Sequence, residues 1–165
     1  MALIRHPTGM DKRVRLHRFA AVAASALGLS SCVTYAADLE RARRHYEVTE
    51  FARALAVLRL LGEDEDALGH ADRIRYACLR GMTDYRLASL APAGRPQDRA
   101  TFRQCAHDWL TRCAAGMTSD PSALSAEERE RATRTLRELN DEARQAPAAR
   151  ETCLPADLSP LAVSR

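Results

Sequence analysis

The spacing of apolar residues restricts the fold of this chain more than any other feature. Apolar residues recur every three or four positions, most clearly at Phe51, Ala54, Leu58 and Leu61, which is the spacing of one helix face. Sustained alternation of apolar and polar residues, which is typical of a half-buried strand, does not occur in the sequence. We therefore expect an all-α protein without a sheet.

Glycine, proline and capping residues divide this pattern into five predicted helices. The third helix is apolar on two sides, so we expect it to be central, with neighbours on both flanks. Ser125 and Glu128 have the spacing of a capping box at the start of the fifth helix. The predicted helices cover residues 38–48, 50–61, 70–90, a stretch capped by Asp98, and a stretch from Ser125. The predicted breaks are Gly62 as a C-cap with residues 63–66, residues 91–96, and Gly116 to Pro121.

The first two predicted helices carry small and aromatic residues at the spacing of a known helical repeat. Ala42, Tyr46, Phe51, Ala54, Leu58 and Leu61 stand at offsets 0, 4, 9, 12, 16 and 19. This pattern resembles the tetratricopeptide repeat, in which small residues let neighbouring helices approach and an aromatic residue fills the groove between them. Gly81 and Tyr85 repeat the first two offsets, but Pro92 and Gly94 interrupt the helix that should follow. The resemblance implies a five-helix array of antiparallel helix pairs, tetratricopeptide-like, with a generic helical bundle as the alternative.

The basic charge of the chain belongs to its first 31 residues. Of the formal net charge of +3, this segment contributes +4 and the remainder −1, because the remainder has 20 arginines and 21 acids. The basic residues of the segment are Arg5, Lys12, Arg13, Arg15 and Arg18, and its acid is Asp11. Because the remainder has no basic excess and the chain is only 5% aromatic, we expect no nucleic-acid partner.

A short apolar run, residues 19–29, follows these basic residues. The run is too short to span a bilayer, which needs about 20 residues, but it suits the apolar part of a secretory signal. The sequence Leu29-Ser30-Ser31-Cys32 then resembles the bacterial lipobox. The resemblance implies that residues 1–31 are a lipoprotein signal peptide and that the chain is anchored to a membrane through acylated Cys32.

The residue after the acylated cysteine is Val33, which under the enterobacterial sorting rule implies the outer membrane, facing the periplasm. Three alternatives stay open: the inner membrane, an ordinary signal cut near residues 35–37 that releases a soluble periplasmic protein, and an uncleaved cytosolic N-terminus. Translation from Met1 and from Met10 are both compatible with the sequence. The expected organisation is a signal peptide (1–31), a tether (32–37), a tetratricopeptide-like helical domain (38–146) and an extended C-terminal tail (147–165).

With the lipobox cysteine acylated, an even number of cysteines is left for pairing in an oxidising compartment. They are Cys78, Cys105, Cys113 and Cys153. Cys105 and Cys113 lie about 12 Å apart along one helix, whereas a disulfide needs about 7 Å or less between Cα atoms. A turn centred near Ala93 would place Cys78 level with Cys105. We therefore predict the pairs Cys78–Cys105 and Cys113–Cys153, the second fastening the tail, with unpaired thiols as the alternative.

Motifs of the common catalytic classes do not occur: there is no phosphate-binding glycine loop, serine-hydrolase elbow or zinc-protease motif. We therefore expect no enzyme activity, no cofactor and no metal. Under the repeat interpretation, the residues offered to a protein partner are Arg43, Tyr46, Met82, Tyr85 and Arg86. The predicted function is that of an envelope-anchored protein–protein interaction or assembly adaptor, of the kind used in secretion, pilus or outer-membrane assembly. The alternative is a structural envelope lipoprotein without a binding groove, with both tyrosines in the core.

Overall fold

The computed structural model describes residues 35–145, which contain five α-helices and no strand. In chain order they are α1 (35–47), α2 (Phe51–Glu63), α3 (His70–Leu90), α4 (Pro96–Ser119) and α5 (Ala126–Gln145). The predicted all-α class is confirmed for this part of the chain, and α1 already includes residues 35–37 of the predicted tether. The predicted signal peptide, the acylation site Cys32, Cys153 and the predicted tail lie outside the described residues.

The central element is α3, as its two apolar sides predict. Among α2, α4 and α5, its most extensive contact is with α4, and it also packs against the other two. One continuous core joins all five helices, from Leu39 in α1 to Leu139 in α5. No helix within the described range combines the length and the apolar character of a bilayer-spanning segment.

The inner face of α4 agrees with the prediction from residue spacing. Its buried side chains are Phe102, Cys105, Ala106, Trp109, Leu110 and Cys113. The helix begins at Pro96, before the predicted cap Asp98, because the first position of a helix does not need the N–H that proline lacks. The capping box of α5 is also confirmed: Glu128 N donates to Ser125 Oγ at 3.2 Å, and Ser125 N donates to Glu128 Oε2 at 2.8 Å.

A disulfide between α3 and α4 joins Cys78 to Cys113. The predicted pairs, Cys78 with Cys105 and Cys113 with Cys153, are therefore wrong. The error lies in the register of the two helices. The prediction placed the centre of the turn near residue 93, whereas the positions that meet across the helices are centred near residue 95: 78 with 113, 81 with 110, and 74 with 116. The loop of residues 91–95 carries the chain past the end of α3 before α4 turns back. Cys105 is likewise not a free thiol.

Gly62 and Gly116, at predicted helix breaks, lie inside α2 and α4. Neither has a positive φ, which a glycine C-cap usually adopts. A Cβ at Gly62 would come within 2.6 Å of the Tyr76 hydroxyl, and one at Gly116 within 2.7 Å of the Ile74 side chain. These glycines therefore serve close helix packing, and the predicted C-cap at Gly62 is wrong.

Candidate functional site

A groove of about 540 Å³ lies between α1, α3 and the first turns of α5. We refer to it as the three-helix groove. A short 3-10 turn, Pro121–Ala123, and the capping box at Ser125 bring the start of α5 opposite α1. The apolar side chains that line the groove include Leu39, Leu79, Met82, Ala123, Leu124 and Ala132. The groove therefore offers apolar and charged surface together, in a space of the size of a small-ligand site.

Charged side chains at the rim of this groove are paired with one another. Arg43 donates to Glu40 at 2.8 and 2.9 Å and to Glu47 at 2.7 Å. Arg75 donates to Asp72 and to a backbone carbonyl, both at 2.9 Å. The hydrogen bond between Arg43 and Glu40 lowers the pKa of Glu40 and raises the pKa of Arg43. Both groups thus keep their charges at neutral pH while neutralising each other.

Three of the five residues predicted to contact a partner line the groove: Arg43, Tyr46 and Met82. Arg43 is exposed at the rim, and Met82 is buried in the wall that α3 forms. Tyr46 is half-buried, and its ring meets Phe51 edge-on with the ring centroids 5.3 Å apart. Sequence reasoning did not include the opposite wall, formed by the start of α5.

The other two predicted residues, Tyr85 and Arg86, are not among the residues that line the groove. The Tyr85 hydroxyl donates to Glu138 of α5 at 2.7 Å, and the Arg103 guanidinium of α4 lies 5.3 Å from the centre of its ring. Tyr85 therefore joins α3 to α4 and α5, and Arg86 is exposed to solvent. Neither tyrosine is fully buried.

An ion pair that sequence reasoning did not single out is buried in α3. The Arg80 Nε donates to Oδ2 of Asp84 at 3.1 Å, and the two side chains are 6% and 0% exposed. The other carboxylate oxygen, Oδ1, has no hydrogen-bond partner among residues 35–145. Burial raises the pKa of Asp84 to about 6, although Arg80 and Arg59 act to lower it. The signal in the sequence is an arginine and an aspartate four residues apart on the helix predicted to be covered on both sides.

Aromatic rings surround this ion pair. The Arg80 guanidinium lies 5.7 Å from the Trp109 ring centre, and Arg112 lies 4.3 Å from the same ring. Tyr76 meets Trp109 edge-on at 5.3 Å. Arg112 also pairs with Glu65. Because these groups are packed against one another, the cluster belongs to the core and fixes how α3 and α4 meet.

The described histidines have polar partners of their own, and Cys78 is joined to Cys113 in a disulfide. His107 Nε2 lies 2.9 Å from Asn140 Oδ1, and His45 Nδ1 lies 2.7 Å from Glu50 Oε2. Within residues 35–145, no three histidine, cysteine or acidic side chains are grouped so that they could hold a metal ion. The three-helix groove is lined by apolar side chains and by charged side chains that have polar partners of their own.

The fold and the groove together define a small, disulfide-bonded, all-α protein with a ligand-sized groove between three of its helices. No protein-family model, curated protein or solved structure matches the chain.

Proposed function

We propose that this protein is an envelope-anchored lipoprotein that acts as an interaction or assembly adaptor and binds a segment of a partner protein in the three-helix groove. The observation that carries the proposal is the groove, in which α1, α3 and α5 surround about 540 Å³. Ligand-binding clefts in proteins typically enclose roughly 300–1,000 Å³. Suitable processes are the assembly of secretion systems, pili or the outer membrane.

We further propose that α1 and α2 form a tetratricopeptide-like pair. Two small residues of the repeat pattern, Ala42 and Ala54, are completely buried, as close helix approach requires. Leu58 and Leu61 are buried as well, and the ring of Tyr46 packs against that of Phe51, at the start of α2. These contacts support a paired arrangement of α1 and α2, and α1 forms one wall of the three-helix groove.

The proposed membrane anchor is Cys32, which lies outside the described residues. Globomycin, which inhibits the lipoprotein signal peptidase, should block processing, and the mature chain should fractionate with the outer membrane. Cys32→Ala should abolish both properties, whereas Cys153→Ala, the matched control, should retain them. A soluble product beginning near Asp38 would contradict the anchor and favour a soluble periplasmic protein.

Binding in the groove can be tested by photo-crosslinking in cells. Arg131 is exposed and lines the groove, whereas Arg86 is exposed and is not among its lining residues. A photoreactive side chain at position 131 should give a discrete adduct with a partner, and the same side chain at position 86 should not. The absence of an adduct at both positions would support the structural alternative instead.

A matched pair of substitutions then tests the groove itself. Leu79 is half-buried in the groove, so Leu79→Arg places a charge there. Leu90 is 66% exposed and is not a lining residue, so Leu90→Arg is the control. The adduct from position 131 should be lost in the first variant and kept in the second, provided that circular dichroism shows both to be folded. An adduct that persists with Leu79→Arg would refute binding in the groove.

A further inference from the structure

We propose that acylation of Cys32 holds one end of the helical domain, the end at which α1 begins, against the membrane surface. This inference rests on the anchor in the proposed function and adds the orientation of the domain on the bilayer. Three observations support it: the short connection between Cys32 and α1, the elements that meet at the start of α1, and the side chains exposed at each end of the domain.

The connection between the acylated cysteine and the first helix is short. Because α1 begins at residue 35, only residues 33 and 34 lie between it and Cys32. A chain spans at most about 3.5 Å per residue, so the start of α1 lies within about 10 Å of the acylated cysteine. The domain therefore has little freedom to move away from the bilayer.

Several elements meet at the start of α1, and we call this part of the molecule the anchored end. Ala36 of α1 lines the three-helix groove together with Asp72 of α3 and Ser122 of the turn before α5. At the end of α4, the Ser119 hydroxyl lies 3.3 Å from Nε2 of His70, the first residue of α3. The anchored end therefore comprises the starts of α1, α3 and α5 and the end of α4.

The exposed side chains of the anchored end do not suit insertion into a bilayer. Residues 63–66, which lead from α2 towards α3, expose three acids, and one exposed leucine, Leu60, lies a turn earlier in α2. The other exposed large apolar side chains of the described residues, Val48 and Leu90, lie at the opposite end. Acids are repelled by anionic lipids, and insertion needs apolar surface. The covalent connection, and not an affinity of this surface for lipid, therefore sets the orientation.

The short connection also limits where the adaptor can meet its partner. The wall that α1 contributes to the three-helix groove extends from Ala36 to Glu47. This stretch of helix rises about 17 Å, so the wall lies within about 30 Å of the acylated cysteine in any orientation of the domain. The partner must therefore present its bound segment close to the bilayer, as a membrane-embedded protein can.

Quenching by lipid headgroups measures which end of the domain lies at the bilayer. The acylated chain is reconstituted into vesicles of phosphatidylethanolamine and phosphatidylglycerol, with a fluorescent amino acid at position 73 or at position 90. Arg73 and Leu90 are both exposed, and they lie about 25 Å apart along α3. Lipids with a nitroxide on the headgroup should remove most of the emission at position 73 and little of the emission at position 90.

A linker variant separates the effect of the connection from any affinity of the surface for lipid. An insertion of about 12 glycine and serine residues between Thr34 and Tyr35 leaves the lipobox intact and adds a flexible chain about 20 Å from end to end. Quenching at position 73 should then fall towards the level at position 90. Circular dichroism should show that the insertion leaves the helical fold unchanged.

Other results would overturn the inference. Stronger quenching at position 90 than at position 73 would place the end with Val48 and Leu90 at the bilayer, and equal quenching would show that the domain lies on its side. Quenching at position 73 that survives the linker would show that the surface itself binds lipid. These results leave the anchor standing, whereas a mature chain that carries no acyl group by mass spectrometry would refute the anchor in the proposed function.

Discussion

At the scale of single residues, the side chain of Asp84 is fully buried and only one of its oxygens, Oδ2, is hydrogen-bonded, to Arg80. Burial raises its pKa from 3.8 to about 6, an effect larger than the opposing influence of Arg80 and Arg59. The folded state therefore holds the proton more tightly than the unfolded state. This favours folding below pH 4, and the contribution is lost as the pH rises through about 6.

Replacement of this carboxyl by an amide should remove the pH dependence. Asp84→Asn mimics the protonated side chain, so we expect it to be more stable than wild type above pH 7 by up to ~3 kcal/mol. The difference should shrink as the pH falls from 6 to 4, and urea unfolding across this range measures it. Asp66→Asn, at an exposed position, should show no such difference. A variant less stable than wild type at every pH would show that the ion pair with Arg80 outweighs the burial of the charge.

A second residue-scale prediction concerns the contact between α3 and α4 at Gly81. A Cβ there would lie 2.7 Å from the Leu110 Cγ and 3.0 Å from its backbone nitrogen, which cannot move without moving α4. We expect Gly81→Ala to lower the free energy of unfolding by about 1–3 kcal/mol through overpacking, despite the better helix propensity of alanine. Thermal unfolding measures the change.

Gly94 provides the control for this substitution. It has open space around its Cα and no positive φ. Gly94→Ala should therefore leave stability unchanged or raise it by about 0.4–1 kcal/mol, by restricting the unfolded chain. Equal stability of the Gly81→Ala variant and wild type would mean that the two helices can separate locally at little cost.

At the scale of helices, the bond between Cys78 and Cys113 closes a loop with a sequence separation of 35. Non-reducing peptide mapping should recover this pair. Cys78→Ser with Cys113→Ser should cost about 3–4 kcal/mol of stability, because the unfolded chain regains the freedom of the open loop. A peptide that joins Cys78 to Cys105 would contradict the helix register.

Helices and their faces could be predicted from the sequence because helical periodicity is local. The buried face of α4 and the capping box at Ser125 follow from residues three or four positions apart. The register between α3 and α4 could not be predicted, because it depends on the path of residues 91–95 and not on periodicity. The same limit applies to Gly62 and Gly116, which look like helix breaks in the sequence. They lie inside helices, and the side chains of Tyr76 and Ile74, which are distant in sequence, leave no room there for a Cβ.

At the scale of the whole molecule, only part of the candidate site could be predicted from the sequence, namely residues of α1 and α3. Arg43, Tyr46 and Met82 follow from the repeat-like spacing, and all three line the three-helix groove. The opposite wall, with Leu124 and Ala132, depends on where α5 returns to the helix pair. That is a long-range packing choice which no local pattern contains.

The same packing predicts a hierarchy of stability among the helices. Among α2 to α5, the contact between α3 and α4 is the most extensive one, and a disulfide joins the two helices. In contrast, α5 buries only Ala132, Thr135 and Leu139 along its 20 residues. We therefore expect hydrogen exchange to be slowest in the paired parts of α3 and α4 and faster in α5, since elements with little buried apolar surface open locally.

Mass-spectrometric hydrogen exchange of the oxidised and the reduced protein tests this order. Reduction should accelerate exchange in α3 and α4 and so narrow the difference in exchange rate from α5, because the bond between Cys78 and Cys113 joins α3 to α4 and not to α5. Uniform exchange in all five helices would instead show that they open as one cooperative unit.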